Sequence, residues 1–287
     1  MSWQDEGENL YQLDPEHESE LIRLIRQSRF MTDAQGGLLP ERKLLPASRV
    51  IDLACGPGDW ALDLASEGRN QGVEVIGMDI SRLMIEYARA QASAARIDNT
   101  RFLVGDILKP LPFPDGHFDI INARFLSFMP ASAWHPLLQE CYRVLKPGGV
   151  IRLTESEATL SNSPAFDKLT LMVVQALNKG GRGFAHHGHF IGITAMVRSF
   201  LESNGFTDVQ ERAILLNYSH GQPAHEFQYQ NYVIGSSMIL PFLLKYEITT
   251  AEEFEQTYQQ MREEMLEHSF CAVCFMTTTW GEKPWHL

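Results

Sequence analysis

Apolar and polar positions alternate along this chain with two periods, one short and one helical. Arg49–Ala54 (RVIDLA) is a short apolar run with one acid, bounded by turn formers. It reads as a parallel strand buried on both faces. Cys55-Gly56-Pro57-Gly58 is a tight turn, and Asp59–Glu67 is a helix closed by Gly68. A second strand over Val73–Asp79 leads into a helix over Ser81–Ala95. Arg101–Gly105 and Phe118–Asn122 are the next strands, the latter after the turn Pro114-Asp115-Gly116. A helix over Ala133–Leu145, a turn at Pro147-Gly148-Gly149 and a strand over Val150–Glu155 complete the series. Such alternation predicts a mostly parallel sheet with helices on both faces, because right-handed crossovers place the helices there.

The flanks follow other patterns. Asp14 and Pro15 form a plausible start for a helix running to Met31, with Leu21, Ile22, Leu24, Ile25 and Phe30 at helical spacing. Residues 1–15 read mostly as loop, and Gly36-Gly37 breaks the helix before a short one at Pro40–Leu45. Further on come a helix at Thr194–Ser203, a strand at Val209–Leu216 and a largely helical stretch over 220–268, clearest at Ala251–His268. Phe270–Thr279 is a last strand. No internal repeat is visible.

Composition narrows the function. In 287 residues, 24 Lys and Arg stand against 36 Asp and Glu, a net charge of −12. An acidic chain with no basic block is a poor partner for nucleic acid, whose binding rests on cationic neutralisation of phosphates. No apolar run reaches about 18 residues, so no membrane-spanning helix is expected. The polar, acidic start lacks the pattern of a secretory signal, and four cysteines in a chain this long are no disulfide framework. A reduced, cytoplasmic setting is expected.

The chemistry is concentrated at strand ends. In Val50–Trp60 (VIDLACGPGDW) a buried strand with an acid runs into a Gly-x-Gly turn and a helix. Gly56 and Gly58 let the backbone approach a ligand with no Cβ in the way. Asp52 can accept a hydrogen bond from a ligand ammonium. Three details argue against a dinucleotide: the third glycine of G-x-G-x-x-G is missing, Asp59 stands where a pyrophosphate would sit, and Asp52 suits a cation better than a diphosphate. Asp79 ends the second strand and can take both hydroxyls of a ribose. Asp106, after the third, can accept from an adenine amino group while Ile107 packs on the ring. Ligands in such sheets bind at the carboxyl ends of the strands.

The segments VIDLACGPGDWALDLA, VIGMDISRLMIEYA, RFLVGDILKPLPFPDGHFDIIN and YRVLKPGGVIRLTE, spanning residues 49–155, resemble the class I S-adenosylmethionine-dependent methyltransferases in order and spacing. The resemblance implies a Rossmann-like, seven-stranded, mostly parallel sheet with one antiparallel strand and a mainly helical lid. It implies S-adenosylmethionine as cofactor, S-adenosylhomocysteine as product, and contacts from Asp52, Ala54, Gly56, Gly58, Asp79, Ile80, Met84, Gly105, Asp106, Ile107, Asn122 and Ala123. Arg124 is a candidate partner for the cofactor carboxylate. Residues 11–31 look like the N-terminal helix of a bacterial and fungal subgroup rich in small-metabolite enzymes, which makes Tyr11, Arg23, Gln27 and Met31 candidate cofactor contacts. The expected organisation is a helical cap (1–45), a cofactor-binding core (46–156), a lid insertion (157–193), core continued (194–218), a helical lid insertion (219–268) and a last core strand with tail (269–287).

The expected reaction is methyl transfer to an O or N atom of a small-molecule acceptor, by a monomer or homodimer. A protein methyltransferase and a cofactor-binding regulator without turnover are the alternatives. For catalysis the candidates are His187, His189 and Tyr218. Gly180–His189 contains glycines and three histidines, which suit a mobile loop, a general base or a metal; with no carboxylate or paired cysteines nearby, no metal is expected. His220, Tyr229 and Tyr232 are further pocket candidates, with aromatic packing as their competing role. Cys271 and Cys274 point to opposite faces of a strand and read as structural.

Overall fold

The structure, a computed structural model, describes residues 11–285. The loop expected over residues 1–15 therefore lies mostly outside the described residues, as do the final two positions. The strands are β1 (Arg49–Leu53), β2 (Glu74–Asp79), β3 (Thr100–Val104), β4 (Phe118–Arg124), β5 (Leu145–Ser156), β6 (Leu160–Ser161), β7 (Thr207–Asn217) and β8 (Ala272–Glu282). The helices are α1 (Glu18–Ala34), α2 (Asp59–Gly68), α3 (Arg82–Ala94), α4 (Trp134–Val144), α5 (Pro164–Lys179), α6 (Val197–Ser203), α7 (His225–Lys245) and α8 (Ala251–Glu264).

The sheet order is β3-β2-β1-β4-β5-β8-β6, with β7 also on β8. β1 to β5 are parallel, and β8 runs antiparallel to β5, β6 and β7. The sheet has eight strands where seven are expected; the addition is the two-residue β6 against the start of β8. Alternation along the central strands covers both faces, because successive side chains point to opposite sides. Val50 and Ile120 pack with Trp60, Ala61 and Leu64 of α2 and Ile85 and Ala88 of α3. Ile51, Leu53, Ile121 and Ile151 pack with Leu138 and Cys141 of α4 and Leu201 of α6. A third cluster joins Met31 of α1, Phe166 and Leu169 of α5, Leu243 of α7, Phe254 and Met261 of α8 and Met276 of β8.

Several local expectations shift for identifiable reasons. α1 begins three residues late, because Asp14 spends its side chain on the Glu16 N–H (3.0 Å) and His17 caps the helix by accepting from Ser19 N–H. No helix forms at Pro40–Leu45; Leu38 is buried against Trp60, Glu41 reaches Arg152, and Arg42 pairs with Glu282 at 3.0 Å. Long-range partners thus pull that segment across the sheet instead of letting it coil. The expected turn at Pro147–Gly149 lies inside β5, whose pairing with β4 slips between Phe118 and Ile120. α5 fills much of the 157–193 segment, for which the sequence pattern predicts no element. Its start is well defined: Ser163 accepts from Phe166 N–H at 3.0 Å, with Pro164 in the first turn. Among the described residues no helix is long and apolar enough to cross a membrane.

Gly58 sits where the β1–α2 turn meets the helix layer. Its φ is +80°, and an added Cβ would lie 2.6 Å from the Phe102 ring and 2.8 Å from Ala88. Gly58→Ala should therefore lower stability by about 1–3 kcal/mol through strain and clash together, read as a drop in urea midpoint. An unchanged midpoint would contradict this packing role.

Candidate functional site

A cavity of about 410 Å³ opens at the carboxyl ends of the parallel strands, roofed by α1 and walled by α5 and α7. Tyr11, Gln27, Asp52, Ala54, Gly56, Asp79, Ile80, Met84, Gly105, Asp106, Ile107 and Arg124 line it, all positions singled out from the sequence. Met31, Gly58, Asn122 and Ala123 do not line it. Met31 faces the α5–α7–α8 cluster and Ala123 the α4 core. Gly58 packs beneath the turn, and Asn122 acts through Asp52.

Asp79 is fixed by the glycine turn itself. Gly56 N–H donates to its Oδ2 at 2.8 Å and Ser81 N–H to its Oδ1 at 2.9 Å. Burial pushes its pKa up, against those two bonds. Ile80 N–H is a third backbone donor, and the carboxylate retains acceptor capacity for a further one. Gly56 has φ +54°, and Leu24 Cδ1, at 3.9 Å, is the one side chain an added Cβ there would meet. The turn therefore presents bare backbone to the cavity. Asp106 accepts from Leu108 N–H at 2.9 Å through Oδ1, and Ile107 is buried beside it.

Asp52 belongs to a row of polar groups across three strands. In the parallel register, Asp52 lies beside Asn122 and Asn122 beside Arg152. Asn122 donates to Asp52 Oδ1 at 2.7 Å and accepts from Arg152 at 2.8 Å. Arg152 also donates to Gln35 Oε1 at 2.6 Å and pairs with Glu41. Asp52 is 2% exposed and Arg152 1%. Burial pushes the Asp52 pKa up to about 6, while Arg124, Asn122 and Arg152 oppose that shift. Arg124 is half-buried at the end of β4 and donates to Ser28 (3.0 Å) and Thr32 (3.3 Å) of α1. Among the described residues no carboxylate lies within 4 Å of its guanidinium.

The roof is tied down by Arg23. It donates to both oxygens of Glu20 (2.6 and 2.7 Å), to Gln27 (2.6 Å), to Asn231 of α7 (2.9 Å) and to the Tyr11 hydroxyl (3.2 Å). Tyr11 in turn donates to Glu20 at 2.7 Å. The floor is held by two acids at the end of β5. Glu155 accepts from Leu126 N–H at 2.7 Å, and Glu157 accepts from Ile191 and Gly192 N–H at 2.8 Å each. They fix the loop after β4, where Phe125 adopts φ +60°, and the irregular chain at Ile191. Ala54, after β1, has φ +52°. Two non-glycine residues in the left-handed region thus line one cavity, as is common at functional sites.

The candidate catalytic residues do not face this cavity. His187 and His189 are exposed on the 180–190 loop and line no wall of it. Among the described residues no group of three or more His, Cys, Asp or Glu is arranged for a metal. Tyr218 is fully buried behind Tyr232, which does line the cavity. The sequence gives little sign of Arg152, Glu155 and Glu157; the first two are charges within the expected strand Val150–Glu155, and Glu157 follows β5. Cys55, Cys141, Cys271 and Cys274 are free thiols.

Residues 50–149 match the family model described as a methyltransferase domain. Curated relatives include a demethylmenaquinone methyltransferase of Lactococcus lactis, 38% identical over 112 residues, and one of Thermus thermophilus, 43% identical over 107. These alignments cover 39% and 37% of this chain and 43% and 46% of the relatives, so the chain spans less than half the length of the curated relatives it matches. A Haemonchus contortus phosphoethanolamine N-methyltransferase, solved with S-adenosylhomocysteine, superposes with a TM-score of 0.52 at 16% identity, over 88% of this chain and 52% of that one. That likeness is one of fold. Residues 50–149 are a methyltransferase domain of the class I S-adenosylmethionine-dependent type.

Burial pushes the Glu155 pKa up to about 8, against its bonds to the loop backbone. The folded protein therefore keeps a proton that the unfolded chain loses near 4.5, and stability falls as pH rises from about 4.5 to about 8. Glu155→Gln removes that slope. Its stability relative to the parent should rise by on the order of 1–3 kcal/mol between about pH 5 and about pH 8, measured by urea unfolding. A constant difference across that range would contradict the assignment.

Proposed function

We propose that this chain is an S-adenosylmethionine-dependent methyltransferase that transfers a methyl group to an O or N atom of a small-molecule acceptor. The observation that carries the reading is the convergence of Asp52, Asp79, Asp106 and the Gly56 turn on one cavity at the ends of three neighbouring strands. The donor set fits the cofactor group by group. Asp79, a carboxylate fixed by the glycine turn at the cavity wall, suits the ribose hydroxyls. Asp106 and Ile107 suit an adenine amino group and ring. Asp52 suits the ammonium, and Arg124, hydrogen-bonded to the Ser28 and Thr32 hydroxyls rather than to a carboxylate, suits the carboxylate of the methionine end.

When bound, the cofactor supplies an electrophilic methyl group on a sulfonium centre. The chain's part is to bind, orient and exclude water. The Asn122–Arg152 row holds the Asp52 carboxylate in a single orientation. Tyr11 and Gln27 close the roof through Arg23, so acceptor and methyl group meet in a dry, fixed geometry. Holding two reactants at about 3 Å in this way supplies a large part of the rate in such transfers. Tyr218 is too deeply buried to act as a base on the acceptor, and the exposed His187 and His189 are set aside for the same task. The demethylmenaquinone methyltransferase names of the relatives favour a small acceptor over a protein. A cytoplasmic setting and a monomer or homodimer belong to the same proposal.

Methyl-labelled S-adenosylmethionine, incubated with the protein and host-cell extract, should place label in the small-molecule fraction. Label in protein would move the proposal to a protein substrate, and tight binding with no label at all to a regulator. Asp79→Ala should weaken cofactor binding by about tenfold or more in calorimetry, since charge-assisted bonds to both hydroxyls are lost. Affinity of the parent should fall below about pH 6 as Asp52 takes up a proton. Asp52→Asn should bind weakly and without that pH dependence; a parent affinity flat down to about pH 5 would contradict the role given to Asp52.

A further inference from the structure

The cavity has two chemically different ends. The acids lie toward β1, β2 and β3. Toward β4 and β5 the walls are Phe125, Phe128, Val173, Leu177, Ile191 and Tyr232, with the small hydroxyls of Ser127 and Ser156. The cations that line the cavity, Arg23 and Arg124, are bound to partners on α1: Glu20 for the first, Ser28 and Thr32 for the second. Arg124 keeps its charge, because its partners are neutral hydroxyls, and is the group assigned to the cofactor carboxylate; with it so engaged, the β4–β5 walls offer no counter-charge among the described residues. A charged acceptor group moved into it from water would lose its hydration without a counter-charge.

Within that end, one hydroxyl is built in with unusual care. Tyr232 on α7 meets Thr159 Oγ1 at 2.8 Å and the Tyr218 hydroxyl at 3.1 Å, and Thr159 and Tyr218 also bond each other. Its ring is braced edge-on by Phe166, with centroids 4.7 Å apart. Three hydroxyls in mutual contact hold three protons. Thr159 and Tyr218, 6% and 0% exposed, are sealed behind the wall and can satisfy themselves by donating inward. Tyr232 is the member of the trio that lines the cavity. With Thr159 donating to Tyr218 and Tyr218 donating to Tyr232, the third proton, on Tyr232 itself, can be directed outward. Burial pushes its pKa up to about 12, so at neutral pH it keeps that proton and is a donor rather than a base.

We propose that the Tyr232 hydroxyl, held by Thr159 and Tyr218, is the hydrogen-bond donor that positions the methyl acceptor, and that the acceptor is a neutral, largely apolar ring compound with an oxygen to receive that bond. This rests on the methyltransferase reading and adds the acceptor class to it. The positions that carry the inference come from α5, α7, the loop after β4 and the chain after β5 and β7, outside the glycine turn and the three acids.

The test titrates 2-naphthol, 2-naphthoate and 2-naphthylmethylammonium into the parent protein saturated with S-adenosylhomocysteine, by calorimetry. 2-Naphthol should bind, and the two charged analogues about tenfold more weakly or worse. Tyr232→Phe, which keeps the ring and its packing, should weaken 2-naphthol by about threefold to tenfold, the worth of one neutral hydrogen bond. Its affinity for S-adenosylhomocysteine should match the parent's, with a lowered melting temperature from the buried bond that is lost. Equal binding of the charged analogues, no binding of 2-naphthol to the S-adenosylhomocysteine complex, or unaltered 2-naphthol binding by Tyr232→Phe would each overturn the inference while leaving the methyltransferase reading in place. Failure of S-adenosylhomocysteine itself to bind would instead sink that reading, and the inference with it.

Discussion

The buried row from Asp52 through Asn122 to Arg152 is the constraint around which the rest of the molecule is arranged. Charges taken out of water are expensive unless every one is paired and hydrogen-bonded. Here the pairing is possible in one strand register only. A slip of one residue in β1 or β4 would turn the acid or the amide to the opposite face of the sheet. The same demand explains the path of the chain between α1 and β1. Gln35 and Glu41 must reach Arg152, so this stretch crosses the sheet as irregular chain instead of forming a helix. The row thus couples the fold of the core to the aim of one carboxylate at the cavity.

Around that core the cavity is closed by α1, α5 and α7, which share a hydrophobic cluster with α8. α1 is joined to α7 by Arg23 and Asn231, and to the end of β4 by Ser28, Thr32 and Arg124. The loops over the β4–β5 side hang on Glu155 and Glu157, whose carboxylates replace backbone partners that irregular chain lacks. Positioning of the cavity walls by buried acids explains how a left-handed Phe125 is maintained. It also makes the floor sensitive to protonation in a way that the purely apolar α2–α3 face is not.

Much of the core was readable before the structure because its signals are local. An acid and a Gly-x-Gly turn between an apolar run and a helix need only a few consecutive residues, and Asp52, Gly56, Asp79 and Asp106 duly meet in one cavity. Where contacts over long separations decide, the sequence carried less. Gln27 and Met31 share a helix face by spacing, yet Gln27 bonds Arg23 at the cavity while Met31, one turn on, is claimed by α5 and α7. Asn122 and Ala123 follow each other on β4 and were expected to meet the ligand. One supports Asp52 from within the sheet, and the other packs beneath it. The histidine-rich loop drew attention by composition alone, and its rings face solvent. Tyr218 and Tyr232 are both pocket candidates by sequence; Tyr232 meets the cavity and Tyr218 does not, because which tyrosine reaches it depends on how α7 lies over β7 and β8.

The central claim is that the three strand-end acids hold the three parts of one cofactor. The most direct measurement is a crystal structure of the protein with S-adenosylhomocysteine bound. The account predicts the ligand amino group on Asp52, both ribose hydroxyls on Asp79 and the adenine between Ile107 and Asp106, with the row from Asp52 to Arg152 unmoved. A ligand lying across the β4–β5 end, or one whose amino acid portion leaves Asp52 without contact, would contradict it.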